Sequence, residues 1–156
     1  MKRMRSLDNL VPPPAVALCI AAGMWCLARW WPIQRFELPW PQLTGLAVAA
    51  LGGLVSSAGA REFRRARTTV NPLHPERASA IVTTGIYRFT RNPMYVGIVL
   101  VLVGWFLARG GLSAAIGIPL FIGYITRFQI LPEERVLAAK FGDAYSAYVA
   151  RVRRWW

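Results

Sequence analysis

Four apolar stretches, at residues 11–31, 40–60, 93–108 and 112–131, set the terms on which this chain folds. A helix needs about 20 predominantly apolar residues to cross a hydrocarbon core, where no water is present to bond its backbone polar groups. Three of the stretches reach that length. The one at 93–108 is short and needs snorkelling flanks or local bilayer thinning. The expected fold is an all-α integral membrane protein with four transmembrane helices. At 156 residues, 55% of them hydrophobic and seven of them tryptophan, the chain makes one membrane domain suited to a bilayer rather than to water. The first stretch is too long for a cleaved signal peptide, is interrupted at Pro12 to Pro14, and runs into Arg29-Trp30-Trp31 rather than a small-residue cleavage site. Trp30, Trp31 and Trp40 suit an interfacial aromatic belt.

The net charge of +12 would suggest nucleic acid in a soluble protein, but here the placement of the charge is what informs. With four spans and the amino terminus in the cytoplasm, 16 of the 19 basic residues fall on one side, leaving only Arg29, Arg35 and Arg109 opposite. The positive-inside rule then puts both termini in the cytoplasm, and the expected location is a bacterial inner membrane. The basic face attracts anionic membrane lipids, and no nucleic-acid partner is expected. Cys19 and Cys26 lie on one expected helix, about 10 Å apart along its axis, too far for a mutual disulfide. They read as packing residues.

Residues 1–60 form two scaffold helices. Gly45, Gly52, Gly53, Ser56, Ser57 and Gly59 are small enough to let another helix approach closely. Residues 61–92 form a cytoplasmic connector in which Pro72 and Pro75 prevent one continuous helix. His74, the one histidine, is read as a solvated loop residue, and no metal site is expected. Residues 93–131 make an antiparallel transmembrane hairpin turning at Arg109-Gly110-Gly111, which brings residues near 92 and near 133 to the same cytoplasmic face. Residues 132–156 follow Pro132 with apolar or aromatic positions at 137, 141, 145, 148 and 152. That spacing predicts an amphipathic interfacial helix, with an interruption at Gly142.

Three places at the hairpin's open end are able to carry chemistry. Asn92-Pro93 is a favoured helix start, and the backbone N–H groups there suit a carboxylate. The adjacent carboxylates Glu133 and Glu134 favour a helix start in any protein and also offer a site for an ammonium or sulfonium cation. Arg127 lies inside the last apolar turns, where a charge is either functional or snorkels to the interface.

In order and spacing, Gly85, Tyr87, Arg91, Pro93, Tyr95 and Gly97, then Glu133, Glu134, Leu137, Phe141, Gly142, Tyr145, Tyr148 and Arg151, resemble membrane methyltransferases. These are the enzymes grouped around isoprenylcysteine carboxyl methyltransferase and the phospholipid N-methyltransferases. The resemblance covers about residues 61–156. It implies S-adenosylmethionine bound on the cytoplasmic side between the hairpin and the carboxy-terminal segment. Tyr87, Arg91, Asn92, Pro93, Tyr95 and Gly97 would line or shape the cofactor pocket, with Glu133 and Glu134 helping to hold the cofactor. Arg127 falls where the prenylcysteine enzymes carry an arginine near the acceptor.

The implied reaction is methyl transfer to a lipid-like or small hydrophobic acceptor through a carboxylate, amine or thiol. Arg127 or Arg91 would position a carboxylate. Tyr95, Glu133 or Glu134 would take the proton from an amine. Asn92 departs from the Arg-His-Pro of the prenylcysteine enzymes towards the Asn-Pro-Met-Tyr of phosphatidylethanolamine methyltransferases, while the carboxy-terminal half looks more like the prenylcysteine branch. Two alternatives remain: a phospholipid N-methyltransferase specifically, and a non-enzymatic basic membrane protein that binds lipids or a partner. A transporter is disfavoured because no charge lies near a helix centre.

Overall fold

The computed structural model describes residues 8–68 and 78–156. The order of elements is α1 (Pro13–Trp30), α2 (Pro41–Arg65), a 3-10 turn (Gly85–Arg88), α3 (Pro93–Arg109), a second 3-10 turn (Leu112–Ile116), α4 (Gly117–Ile125), a π turn (Thr126–Ile130) and α5 (Leu131–Arg151). There is no strand among the described residues beyond an isolated bridge between Arg35 and Gly111. Helices α1, α2 and α3 each carry proline in the first two positions, where its missing N–H removes no helical bond. His74 and the basic residues Lys2, Arg3 and Arg5 lie outside the described residues.

Helices α1, α2 and the continuous run Leu112–Arg151 are long and apolar enough to cross a membrane, while α3 is apolar but shorter, at 17 residues. Leu18, Leu43, Leu46 and Leu54 point outward and are exposed. Such an apolar exterior is stable in lipid and unstable in water, as an integral membrane protein requires.

Helices α2 and α3 pack backbone to backbone. Gly45, Gly52 and Gly59 lie two turns apart along one face of α2, the first two opposite Gly104 and Gly97 of α3 and the third against Met94. A Cβ on Gly45 would stand 2.5 Å from the Gly104 carbonyl oxygen. The Ser56 hydroxyl adds a bond of 3.0 Å to the Met94 carbonyl. Gly53 has no neighbour within 4 Å and Ser57 is exposed, so the seam uses only part of the small-residue set. On the other side of α3 the core is Met24, Leu102, Phe121, Ile125 and Ile130, joining α1, α3, α4 and the π turn. The Trp105 indole donates to the Ala21 carbonyl at 3.0 Å, so this large side chain is bonded as well as packed.

At the hairpin's closed end, Gly110 leaves α3 at φ 68 and the Phe36 N–H donates to its carbonyl at 2.9 Å. The expectation of a helix starting afresh after Pro132 is corrected. The helix widens into the π turn before Pro132 and continues through it. Pro132 has no N–H to offer the Phe128 carbonyl four residues back, and the Asn9 N–H supplies that bond instead at 2.9 Å. The break falls at Gly142, whose φ of 50 and ψ of −122 are non-helical. Beyond it, Tyr145, Tyr148 and Val152 pack on Ile81, Leu137 and Phe141. The greasy face of the carboxy-terminal helix therefore covers the protein's own connector.

Candidate active site

The hairpin brings α3 and α5 together at its open end, and an open-mouthed cleft lies between them. Ala78, Ala80, Ile81 and Val82 of the connector, Phe63 of α2, and Leu137, Tyr145 and Tyr148 of α5 form largely apolar and aromatic walls. Arg91, Asn92, Met94 and Tyr95 at the start of α3 face Glu133 and Glu134 at the start of α5.

The two glutamates are adjacent in sequence and unlike in surroundings. Glu133 accepts hydrogen bonds on Oε1 from the Tyr95 hydroxyl at 2.8 Å and from the Gln129 amide at 2.7 Å. Glu134 is clamped by cations. The Arg154 guanidinium donates to both of its oxygens at 2.9 and 2.7 Å, and Arg91 Nη2 lies 3.2 Å from Oε1. The hydrogen bonds to Glu134 hold the Arg154 guanidinium above the ordinary arginine range. Charge-assisted, bidentate pairing of this kind is strong and directional. Arg91 is nine-tenths buried, and its Nε has no hydrogen-bond partner among the described residues.

The carboxy-terminal tail completes this corner. The Arg153 carbonyl accepts the Arg91 N–H at 3.0 Å, and the Arg154 carbonyl accepts the Thr90 hydroxyl at 3.2 Å and the Asn92 amide at 2.9 Å. The expected capping role of Asn92 is thereby corrected: it occupies the N-cap position of α3, but its side chain makes no cap bond. Tyr87 is seated from both sides, its ring edge-on to Phe63 at 5.4 Å and its carbonyl bonded by the Tyr148 hydroxyl at 2.8 Å. Burial pushes the Tyr87 phenol far above its ordinary range, followed by the nearby Tyr148, Glu133 and Glu62. Gly85, at φ +57, lets the turn beneath Tyr87 press on the Glu62 carboxylate, which accepts the Thr84 hydroxyl at 2.7 Å.

Of the residues singled out from sequence, Tyr87, Arg91, Asn92, Tyr95, Glu133 and Glu134 thus meet at one cleft. Pro93 and Gly97 do not line it and pack against α2, Gly97 at Gly52 and Ser56. Arg127 also stands outside, 3.9 Å from the buried Asp8 carboxylate and stacked over the Phe128 ring. Sequence reasoning missed Gln129, Arg154, Glu62 and Asp8. A lone amide in the last apolar turns and an arginine in the basic tail were the available signals for the first two. The partners of Asp8 lie far along the chain, and Glu62, besides its i,i+3 pair with Arg65, bonds Thr84 in a loop of no regular period.

The fold and cleft define a small helical membrane protein with a polar and charged site where a short hairpin opens. A model of the phospholipid methyltransferase family matches residues 40–144, and the chain belongs to that family. It is 45% identical over 62 residues to an uncharacterized protein of Haemophilus influenzae, covering 40% of this chain and 98% of that one. It is also 25% identical over 111 residues to the protein-S-isoprenylcysteine O-methyltransferase of Schizosaccharomyces pombe. That match covers 71% of this chain and 47% of the yeast protein, so the chain spans about half of that relative. No solved structure matches significantly. The family and the yeast relative make methyl transfer at a membrane the activity to which the chain points.

Proposed function

We propose that the protein transfers a methyl group from S-adenosylmethionine to a nucleophile on a membrane-dissolved, lipid-like acceptor, in the cleft between α3 and α5. The observation that carries this is the meeting of Tyr95 with Glu133 and of Arg91 with Glu134, which joins residues about 40 positions apart at one opening. The cleft fits the cofactor on chemical grounds. The buried, unpartnered Nε of Arg91 suits a carboxylate, Glu133 suits a cationic group, and Ile81, Val82, Leu137 and the tyrosines suit an apolar and aromatic ring surface. When bound, S-adenosylmethionine supplies an already electrophilic methyl on a sulfonium.

The chain's own work is to align the reactants and exclude water. Arg91 is held in place by Glu134, and Tyr95 is fixed by its bond to Glu133. The apolar walls keep bulk water out of the cleft. With Arg127 beside Asp8, positioning a carboxylate acceptor falls to Arg91 rather than to Arg127. We place the protein in a bacterial inner membrane with four spans, α3 being the short one, and with the cleft and both termini on the cytoplasmic side. The charge distribution supports this arrangement.

Calorimetric titration of the detergent-purified protein with S-adenosylmethionine and S-adenosylhomocysteine tests the reading. Saturable binding that is abolished by Glu133→Gln together with Glu134→Gln is expected. Absence of binding by folded protein, repeated in lipid nanodiscs, would favour a non-enzymatic lipid- or partner-binding protein.

A further inference from the structure

Gln129 is 2% exposed, in a chain whose other buried polar side chains among those described are Asp8, Glu62 and Thr90. It sits in the π turn Thr126–Ile130, where the widened backbone turns two consecutive side chains, Gln129 and Ile130, into the interior. An amide is costly to bury in an apolar helix end unless it is bonded, and π turns inside helices gather at functional sites. The bonds of Gln129 are specific. Its amide donates to Glu133 Oε1 at 2.7 Å, and the Tyr95 hydroxyl donates to the same oxygen at 2.8 Å. Two donors on one carboxylate oxygen fix the plane of the group and leave its second oxygen the better placed to meet a ligand in the cleft. Ile130, the next residue, lines that cleft, while Gln129 stands behind Glu133 and does not.

From this arrangement we infer that Gln129 is a positioning residue. Set by the π turn, it holds the Glu133 carboxyl group aimed at the cationic part of the bound cofactor. This rests on the cofactor proposed above and extends it to a residue that does not touch the cleft.

The test uses the full-length protein in nanodiscs and three probes: S-adenosylmethionine, S-adenosylhomocysteine, and 5′-methylthioadenosine, which has neither sulfonium nor ammonium. Gln129→Leu should weaken S-adenosylmethionine roughly tenfold, the size expected for losing one charge-assisted hydrogen bond, while 5′-methylthioadenosine affinity holds. Retained 5′-methylthioadenosine binding also reports that the variant folds. In a Glu133→Gln background the same substitution should have little further effect, because the two residues act as one unit. An equal loss for all three probes, or an undiminished loss in the Glu133→Gln background, would make Gln129 a packing residue and overturn the inference alone. If wild-type protein binds none of the probes, the cofactor reading and this inference fall together.

Discussion

Glu134 is shared between two guanidiniums, so removing it differs in kind from removing either partner. Glu134→Gln leaves Arg91 and Arg154 close together with no counter-charge, in a corner where Arg91 is nine-tenths buried. Breaking a largely buried pair in this way costs roughly 3 kcal/mol, and thermal unfolding in detergent should show a clear drop. Arg154→Ala leaves Glu134 with Arg91 and should cost about 1 kcal/mol, since Arg154 is one-third exposed. Glu133→Gln should reverse the pattern, with nearly unchanged stability and weakened cofactor binding, because a neutral amide still takes part in the Tyr95 and Gln129 bonds. Equal destabilisation by the two glutamate changes would contradict this division of labour. The doublet was legible in the sequence as a pair of acids at a helix start. Its asymmetry was not, because neighbours on a helix point about 100° apart and only the tertiary partners decide which one meets cations.

At the scale of elements, two glycines make opposite demands. Gly52 lies where α2 touches α3, with the Gly97 carbonyl in the space a Cβ would take, while the next residue, Gly53, has nothing within 4 Å. Gly52→Leu should therefore prevent recovery of monodisperse protein, and Gly53→Leu should be tolerated. Gel filtration of the two variants side by side is the check. Gly142 acts through its backbone: φ 50 with ψ −122 is a conformation that side chains other than glycine adopt only under strain. Gly142→Ala should cost about 1–3 kcal/mol and displace Tyr145 and Tyr148 from the cleft wall, read as weaker cofactor binding.

The helices themselves were legible from hydropathy, and so was the interruption at Gly142. The π turn was not, because it arises from tertiary demand: a proline without an N–H, a distant Asn9 ready to bond the orphaned carbonyl, and an amide required at Glu133. Hydropathic periodicity carries none of that information.

The whole molecule is organised by one loaded end. Asp8 near the amino terminus bonds Arg135 at 2.8 Å, and the tail carbonyls of Arg153 and Arg154 bond Arg91 and Asn92, so both ends of the described chain gather at the end of the molecule that holds the cleft. The opposite end carries the Phe36 to Gly110 bond, with Trp30, Trp31 and Ile33 exposed. In the proposed four-span arrangement charge follows the same division, with Arg29, Arg35 and Arg109 assigned by sequence to the far side and the other 16 basic residues to the cleft side. In the arrangement proposed above, the positive-inside rule turns the loaded end to the cytoplasm. In a background with Cys19→Ala and Cys26→Ala, single cysteines at the exposed positions Ser146 and Ile33 report on the two ends. A membrane-impermeant maleimide should label Ser146→Cys only in inside-out vesicles and Ile33→Cys only in right-side-out ones. The reversed pattern would put the cleft on the far side of the membrane from the cytoplasmic S-adenosylmethionine pool, where the proposed donor would not reach it. Labelling of both positions from the same side would contradict the arrangement of spans itself.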